Sequence, residues 1–89
     1  MKEITLFGLA GCPHCRRAHE LMSELFAEHP EYAKVPLTMI DERESPEIAE
    51  QHDYYLVPTF YVGDKKMMEG VPTKEAIARV FAEALRTDS

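Results

Sequence analysis

The alternation of apolar and polar positions divides the chain into short elements from its first residues. Residues 4–7 (ITLF) are apolar and β-prone, and Gly8 and Gly11 then interrupt the run, which predicts a strand followed by a loop. From Cys15 onward, apolar residues recur every three or four positions and charged residues occupy the other face, which predicts an amphipathic helix ending near His29-Pro30. The apolar stripe of this helix comprises Cys15, Ala18, Leu21, Met22, Leu25 and Phe26.

The second half of the chain contains three more strand patterns and two more helix patterns. Val35 to Ile40 is β-prone, and Ser45-Pro46 supplies an N-cap and a first helical residue for a short helix through about His52. Two alternating runs in the stretch TFYVGDKKMME flank Gly63-Asp64, which predicts a hairpin. After Gly70-Val71-Pro72, Thr73 caps a last helix whose apolar residues are Ile77, Val80, Phe81, Ala84 and Leu85.

The predicted order is therefore β-α-β-α-β-β-α, an α/β fold. Strands joined through a helix favour parallel pairing, and a tight hairpin requires antiparallel pairing. One mixed four-stranded sheet with helices on both faces accounts for every predicted segment.

Composition narrows the classes of function. With 89 residues the chain has room for one domain, spanning residues 1–89. Its net charge of −6 argues against non-specific nucleic-acid binding, which requires basic side chains that neutralise phosphates. No apolar run is long enough to cross a bilayer or to act as a secretory signal. We therefore expect a soluble, cytoplasmic monomer that binds neither nucleic acid nor membrane.

The only two cysteines of the chain, Cys12 and Cys15, lie in the sequence GCPHC. A disulfide that closes so short a loop adds little stability, which favours a chemical role over a structural one. Cys15 belongs to the apolar stripe of the first helix, whereas Cys12 lies at its start, where Pro13 suits the first helical position. Free amides and the helix dipole there favour a Cys12 thiolate, and Arg16 and Arg17 add positive charge.

Three alternatives to a redox pair can be stated. A structural zinc site needs four ligands, and the four histidines show no ligand-pair spacing. A lone CxxC can instead hold a soft metal or bridge an iron–sulfur cluster between two chains. Two coincidental core thiols would explain Cys15 but not a loop-following, exposed Cys12.

The CPHC motif at the start of a helix, followed by Val57-Pro58-Thr59 before a hairpin and a final helix, resembles the thioredoxin superfamily in its glutaredoxin-like form. The resemblance covers the chain from Ile4 to about Leu85. It implies a thioredoxin (glutaredoxin-like) fold and a thiol–disulfide oxidoreductase active in electron transport and cell redox homeostasis. It implies that Pro58 follows a cis peptide bond and that Val57 offers its backbone to substrate.

The residues of the motif, together with the resemblance, predict a role for each position. We expect Cys12 to be the nucleophile, Cys15 the resolving thiol and Pro13 the first helical residue. We expect His14 to stabilise the Cys12 thiolate and raise the reduction potential; the alternative is a solvent-exposed residue at the helix start with little effect. Partners are protein or low-molecular-weight disulfides. The resemblance implies no bound cofactor; glutathione, as co-substrate, or a thioredoxin-reductase-like flavoprotein supplies the electrons.

Two departures from glutaredoxins keep the reductant open. The chain has His14 where glutaredoxins usually carry a tyrosine, and Gly70-Val71 where they carry two glycines that help to hold glutathione. For the remaining polar and aromatic residues we expect ordinary roles. Asp41 to Glu44 is predicted to be a solvated loop, Met67 and Met68 pack in the hairpin, and Tyr54 and Tyr55 either line the substrate groove or pack. His19, His29 and His52 are predicted to lie at the surface or at helix ends.

Overall fold

The computed structural model describes residues 1–86. Seven main elements follow the predicted order, and a short 3₁₀ helix lies between the second and third of them. They are β1 (Ile4–Gly8), α1 (Pro13–Glu28), the 3₁₀ helix (Pro30–Lys34), β2 (Leu37–Asp41), α2 (Pro46–Ala49), β3 (Thr59–Val62), β4 (Lys65–Glu69) and α3 (Lys74–Arg86).

Two predicted boundaries were wrong. β2 begins at Leu37 rather than Val35, because Val35 closes the 3₁₀ helix by donating its N–H to the Tyr32 carbonyl at 3.2 Å. α2 ends at Ala49 rather than His52, because the hydrogen bonds after Glu50 reach back only three residues, as from the His52 N–H to the Ala49 carbonyl at 3.1 Å. Segments this short carry no complete helical period that a sequence pattern could report.

The four strands form one mixed sheet in the order β2-β1-β3-β4. β1 is parallel to β2 and antiparallel to β3, and β3 and β4 form the predicted antiparallel hairpin. The predicted α/β architecture is confirmed. Because of these directions, the ends of β1, β2 and β4 and the start of β3 all lie at one edge of the sheet.

Alternate residues of the strands face two separate apolar layers. The larger layer lies between the sheet and α1 and α3, and Ile4 and Leu6 of β1 face it. On the opposite face, Phe7 is fully buried against the rings of His52 and Tyr54, at 4.6 and 4.9 Å between ring centroids. α1 and α3 therefore cover one face of the sheet, and the segment that follows α2 covers the other face at Phe7. Within residues 1–86, no helix is long and apolar enough to cross a membrane.

Candidate active site

The loop between β1 and α1 places Cys12 at the helix start. Cys12 is the N-cap of α1 and Pro13 is the first helical residue, as predicted. The Cys12 carbonyl accepts the N–H of Arg16 at 3.0 Å, which is the first hydrogen bond of the helix. Gly11 has a φ of 82°, a left-handed conformation that favours glycine at this position.

The Cys12 sulfur is half-exposed and surrounded by hydrogen-bond donors. The backbone N–H of Cys15 and then the Cys15 thiol lower the pKa of Cys12, and the N–H of His14 contributes less. The Cys12 side chain makes no capping hydrogen bond, so the nearby N–H groups act on its sulfur without closing a cap. Unpaired amides at a helix start thus stabilise a thiolate on Cys12.

The Cys15 sulfur is in the opposite environment. This residue is 8% exposed, and its burial raises the pKa of the thiol to about 11. The Cys12 sulfur, as acceptor and as charge, and the Glu42 carboxylate raise it further, while the Leu9 N–H acts in the other direction. A Cβ atom on Gly8 would lie 3.2 Å from the Cys15 sulfur, so glycine allows the close approach of β1 to this thiol.

Asp41, the last residue of β2, holds the loop that carries Cys12. One carboxylate oxygen accepts the N–H of Ala10 at 3.1 Å, and the other accepts the N–H of Arg43 at 2.8 Å. The Gly8 carbonyl also accepts the Glu42 N–H at 3.0 Å. The acidic run at 41–44 therefore includes a structural contact, and the prediction of a merely solvated loop was wrong for Asp41.

The segment before β3 brings Val57 and Pro58 to the same edge. The Val57–Pro58 peptide bond is cis, as predicted, and Pro58 is buried. Its carbonyl accepts the Gly70 N–H at 3.0 Å, which joins it to the end of β4. Pro58, Cys15 and His19 line one open cavity of about 400 Å³, so the structure places the cis-proline beside the buried thiol.

Residues 2–82 match the family model described as a thioredoxin domain. The chain belongs to the thioredoxin domain family. A curated thioredoxin from Methanocaldococcus jannaschii is 31% identical over 83 residues, which are 93% of this chain and 95% of that relative.

Two solved structures show that the fold is shared. Oxidised thioredoxin from Plasmodium falciparum matches with a TM-score of 0.67 at 21% identity, over 90% of this chain and 77% of that chain. A chain from a yeast study of the thiol resolving mechanism of mitochondrial 1-Cys peroxiredoxin via glutathione/thioredoxin systems matches with a TM-score of 0.71 at 22% identity. That match covers 92% of this chain and 77% of the yeast-study chain.

Thioredoxin-domain membership confirms the predicted superfamily, and this family is one of thiol–disulfide oxidoreductases. In this thioredoxin-domain chain, Arg16 and Arg17 are exposed, and neither is among the groups that lower the pKa of Cys12. Arg17 pairs with Glu20 at 3.1 Å, and the shift in the Cys12 pKa comes from nearby hydrogen-bond donors. His14 is exposed at the start of α1.

Of the aromatic residues near the site of this thioredoxin domain, some pack against the sheet and one is exposed. Tyr54 packs on Phe7, and burial, followed by its hydrogen bond to Glu42, raises the pKa of its hydroxyl. Tyr55 is 89% exposed beside Val57. His52 was predicted to be a surface or helix-end residue, but it is half-buried between rings, and one of its ring nitrogens lies 3.0 Å from the Ile48 carbonyl.

Sequence reasoning missed one carboxylate at this edge. Glu69 ends β4, and its side chain contacts the backbone N–H groups of Tyr55 and Leu56 just before Val57. The only available signal was an acidic residue at the end of a predicted strand, which does not identify a distant partner. Among residues 1–86, no group of three or more His, Cys, Asp or Glu side chains is arranged to hold a metal ion.

Proposed function

We propose that this protein transfers two electrons between its Cys12–Cys15 pair and protein or low-molecular-weight disulfides. The observation that carries the proposal is the inequality of the two thiols. Cys12 is half-exposed with a lowered pKa, and Cys15 is buried with a raised pKa only one helical turn away. A reactive thiolate beside a shielded thiol is the arrangement that a two-step disulfide exchange requires.

In the first step, the Cys12 thiolate attacks one sulfur of the substrate disulfide. A mixed disulfide forms between Cys12 and that sulfur, and the other substrate sulfur leaves as a thiolate that takes up a proton. In the second step, Cys15 loses its proton, and its thiolate attacks the Cys12 sulfur. The second substrate sulfur leaves as a thiolate, which takes up a proton. The substrate gains two electrons, and the protein is left with a Cys12–Cys15 disulfide.

The geometry also provides a reason for Cys15 to react in the second step. Hydrogen bonding to the Cys12 sulfur and the charge of that sulfur both raise the Cys15 pKa in the dithiol form. Both effects end when Cys12 is bonded to the substrate and is no longer an anion. The pKa of Cys15 then falls, and its proton is lost more readily at the moment when its thiolate is needed.

Three further residues complete the proposed site. Val57 would offer its backbone to the substrate as a short added strand, and Pro58 would lie beside the reacting sulfurs. The N–H and C=O groups of Val57 make no hydrogen bond within residues 1–86, which supports this role. His14 would stabilise the Cys12 thiolate and raise the reduction potential.

The reductant that restores the dithiol is a thiol, by the same exchange chemistry in reverse. Glutathione and the dithiol of a thioredoxin-reductase-like flavoprotein are the two candidate sources. Parallel assays with glutathione plus glutathione reductase and with thioredoxin reductase would separate them, since only the physiological source supports rapid turnover.

Serine variants test whether Cys12 attacks the substrate and Cys15 resolves the mixed disulfide. We expect Cys12→Ser to abolish the reduction of insulin disulfides, because the attacking sulfur is missing. We expect Cys15→Ser to accumulate a mixed disulfide on Cys12, because the resolving sulfur is missing, and mass spectrometry would detect the added mass. Full activity of Cys12→Ser would contradict the proposed mechanism.

A further inference from the structure

The segment that precedes the cis-proline, residues 53–58, is held by side chains from other elements. The Tyr61 hydroxyl accepts the N–H of Asp53 at 3.1 Å and donates to its carbonyl at 2.8 Å. The Tyr54 hydroxyl donates to the Glu42 carboxylate at 2.9 Å. These contacts fix the first half of the segment against the sheet.

Glu69 fixes the second half of the segment. One of its carboxylate oxygens accepts the N–H of Leu56 at 2.9 Å and also the N–H of Tyr55. The other oxygen pairs with the Lys66 ammonium at 2.9 Å. Because Glu69 lies opposite Thr59 in the β3–β4 ladder, its backbone is fixed and its side chain reaches across to the segment.

Several side chains next to this fixed backbone are exposed to solvent. Three apolar residues beside Val57 point outward, with exposures of 89% for Tyr55, 60% for Leu56 and 69% for Val71. Leu56 also lies close over Gly70, where an added Cβ would be 3.3 Å from its Cδ1 atom. The backbone of the segment is thus held inward while its apolar side chains are presented to solvent.

From this arrangement we infer that Glu69 is a positioning residue that preorganises the Tyr55–Leu56 backbone for an extended polypeptide disulfide. The inference rests on the proposed function. A polypeptide that pairs with the Val57 backbone also covers the neighbouring apolar side chains. Such a polypeptide binds more tightly when Tyr55 and Leu56 are already ordered, because ordering them on binding costs free energy. A small disulfide needs only the Cys12 sulfur and is indifferent to the Tyr55–Leu56 backbone.

Three variants separate the acceptor role of Glu69 from its charge. Glu69→Met removes both acceptor oxygens at similar side-chain length. Glu69→Gln keeps a carbonyl oxygen for the two N–H groups and loses the ion pair. Lys66→Met removes the cation and leaves the carboxylate on the two N–H groups. Each is assayed with insulin as the polypeptide disulfide and with hydroxyethyl disulfide as the small one.

We expect Glu69→Met to raise KM for insulin about tenfold with kcat unchanged, which corresponds to about 1.4 kcal/mol of lost binding. Its rate with hydroxyethyl disulfide and the alkylation rate of Cys12 should match the wild type. Lys66→Met should stay close to the wild type, and Glu69→Gln should lie between Lys66→Met and Glu69→Met. An unchanged KM, a loss shared by both substrates, or an equal loss in Lys66→Met would overturn the inference.

Hydrogen exchange on the wild-type chain provides a test that needs no variant to fold. The backbone N–H groups of Tyr55 and Leu56 should exchange more slowly than that of Val57, because only the first two are bonded to Glu69. Equal exchange at all three would show that the contact does not order the segment. Failure of the proposed function would look different, since the wild type itself would then reduce neither substrate.

Discussion

Cys12 and Cys15 are chemically identical side chains that the protein places in opposite environments. One lies at the N-cap of α1 among backbone donors, and the other lies one turn later on the buried stripe. The asymmetry depends on Pro13, which begins the helix between them, and on Gly8, which lets β1 approach the buried sulfur. Together, these residues support the proposal that Cys12 attacks the substrate and Cys15 resolves the mixed disulfide.

The proposed role of His14 can be tested through the reduction potential. If its imidazole stabilises the Cys12 thiolate, it stabilises the reduced protein and raises the reduction potential. His14→Tyr should then lower the potential by about 30 mV, a tenfold change in the equilibrium constant for exchange with glutathione. The potential is measured by equilibration with defined ratios of reduced and oxidised glutathione, followed by separation of the two protein forms.

His29 offers a matched control for this substitution. It lies at the opposite end of α1, where it is the C-cap residue and its ring contacts Tyr32 at 4.9 Å. His29→Tyr should leave the potential unchanged. A potential of His14→Tyr equal to that of the wild type within error would show that the side chain at this position has no such role.

At the scale of elements, two strand ends carry carboxylates that tie loops to the sheet. The N–H of Arg43, with help from that of Ala10, lowers the pKa of Asp41 below its usual 3.8. The Lys66 ammonium and then the N–H groups of Tyr55 and Leu56 lower the pKa of Glu69 to about 2. A carboxyl group whose pKa is lower in the folded than in the unfolded chain stabilises the fold at pH values above its unfolded-state pKa. That contribution is lost as the pH falls through the folded-state pKa.

We therefore expect the free energy of unfolding to decrease as the pH is lowered from about 5 to about 2. In Glu69→Gln the decrease should be shallower, because this side chain no longer titrates. The variant should be less stable than the wild type near neutral pH, and the two curves should converge toward pH 2. Urea titrations followed by circular dichroism at a series of pH values measure both curves. Curves that remain parallel would rule out Glu69 as a source of the acid sensitivity.

The distant contacts of Asp41 and Glu69 could not be predicted from the sequence. Local patterns were sufficient for α1, for the β3–β4 hairpin and for the Thr73 cap, whose hydroxyl accepts the Ala76 N–H at 3.1 Å. Besides near neighbours, Asp41 binds Ala10, which is 31 residues away along the chain, and Glu69 binds Tyr55 and Leu56, which are 14 and 13 residues away. Such contacts are created by strand order and register, which no local period reports.

At the scale of the whole molecule, the helix that carries the two thiols is held by core packing near its other end. Phe81 of α3 is fully buried. Its ring packs against those of Phe26 in α1 and Tyr32 in the 3₁₀ helix, with 5.3 and 5.5 Å between ring centroids. It therefore joins the helices on one face of the sheet, including the helix whose start carries Cys12. Phe81 thus contributes to the stability of the layer that holds α1.

Phe81→Ala tests this dependence. Removing a buried phenylalanine side chain costs about 3–5 kcal/mol, a large part of the roughly 5–15 kcal/mol that stabilises an ordinary domain. The midpoint of urea unfolding should fall steeply, whereas Met39→Ala, at a position 60% exposed, should change stability by about 0.5 kcal/mol or less. Without urea, the folded fraction of Phe81→Ala should keep the wild-type kcat/KM, because Phe81 does not line the cavity that Cys15 and Pro58 share. A loss of kcat/KM that exceeds the loss of folded protein would show instead that the core controls the geometry of the site as well as its stability.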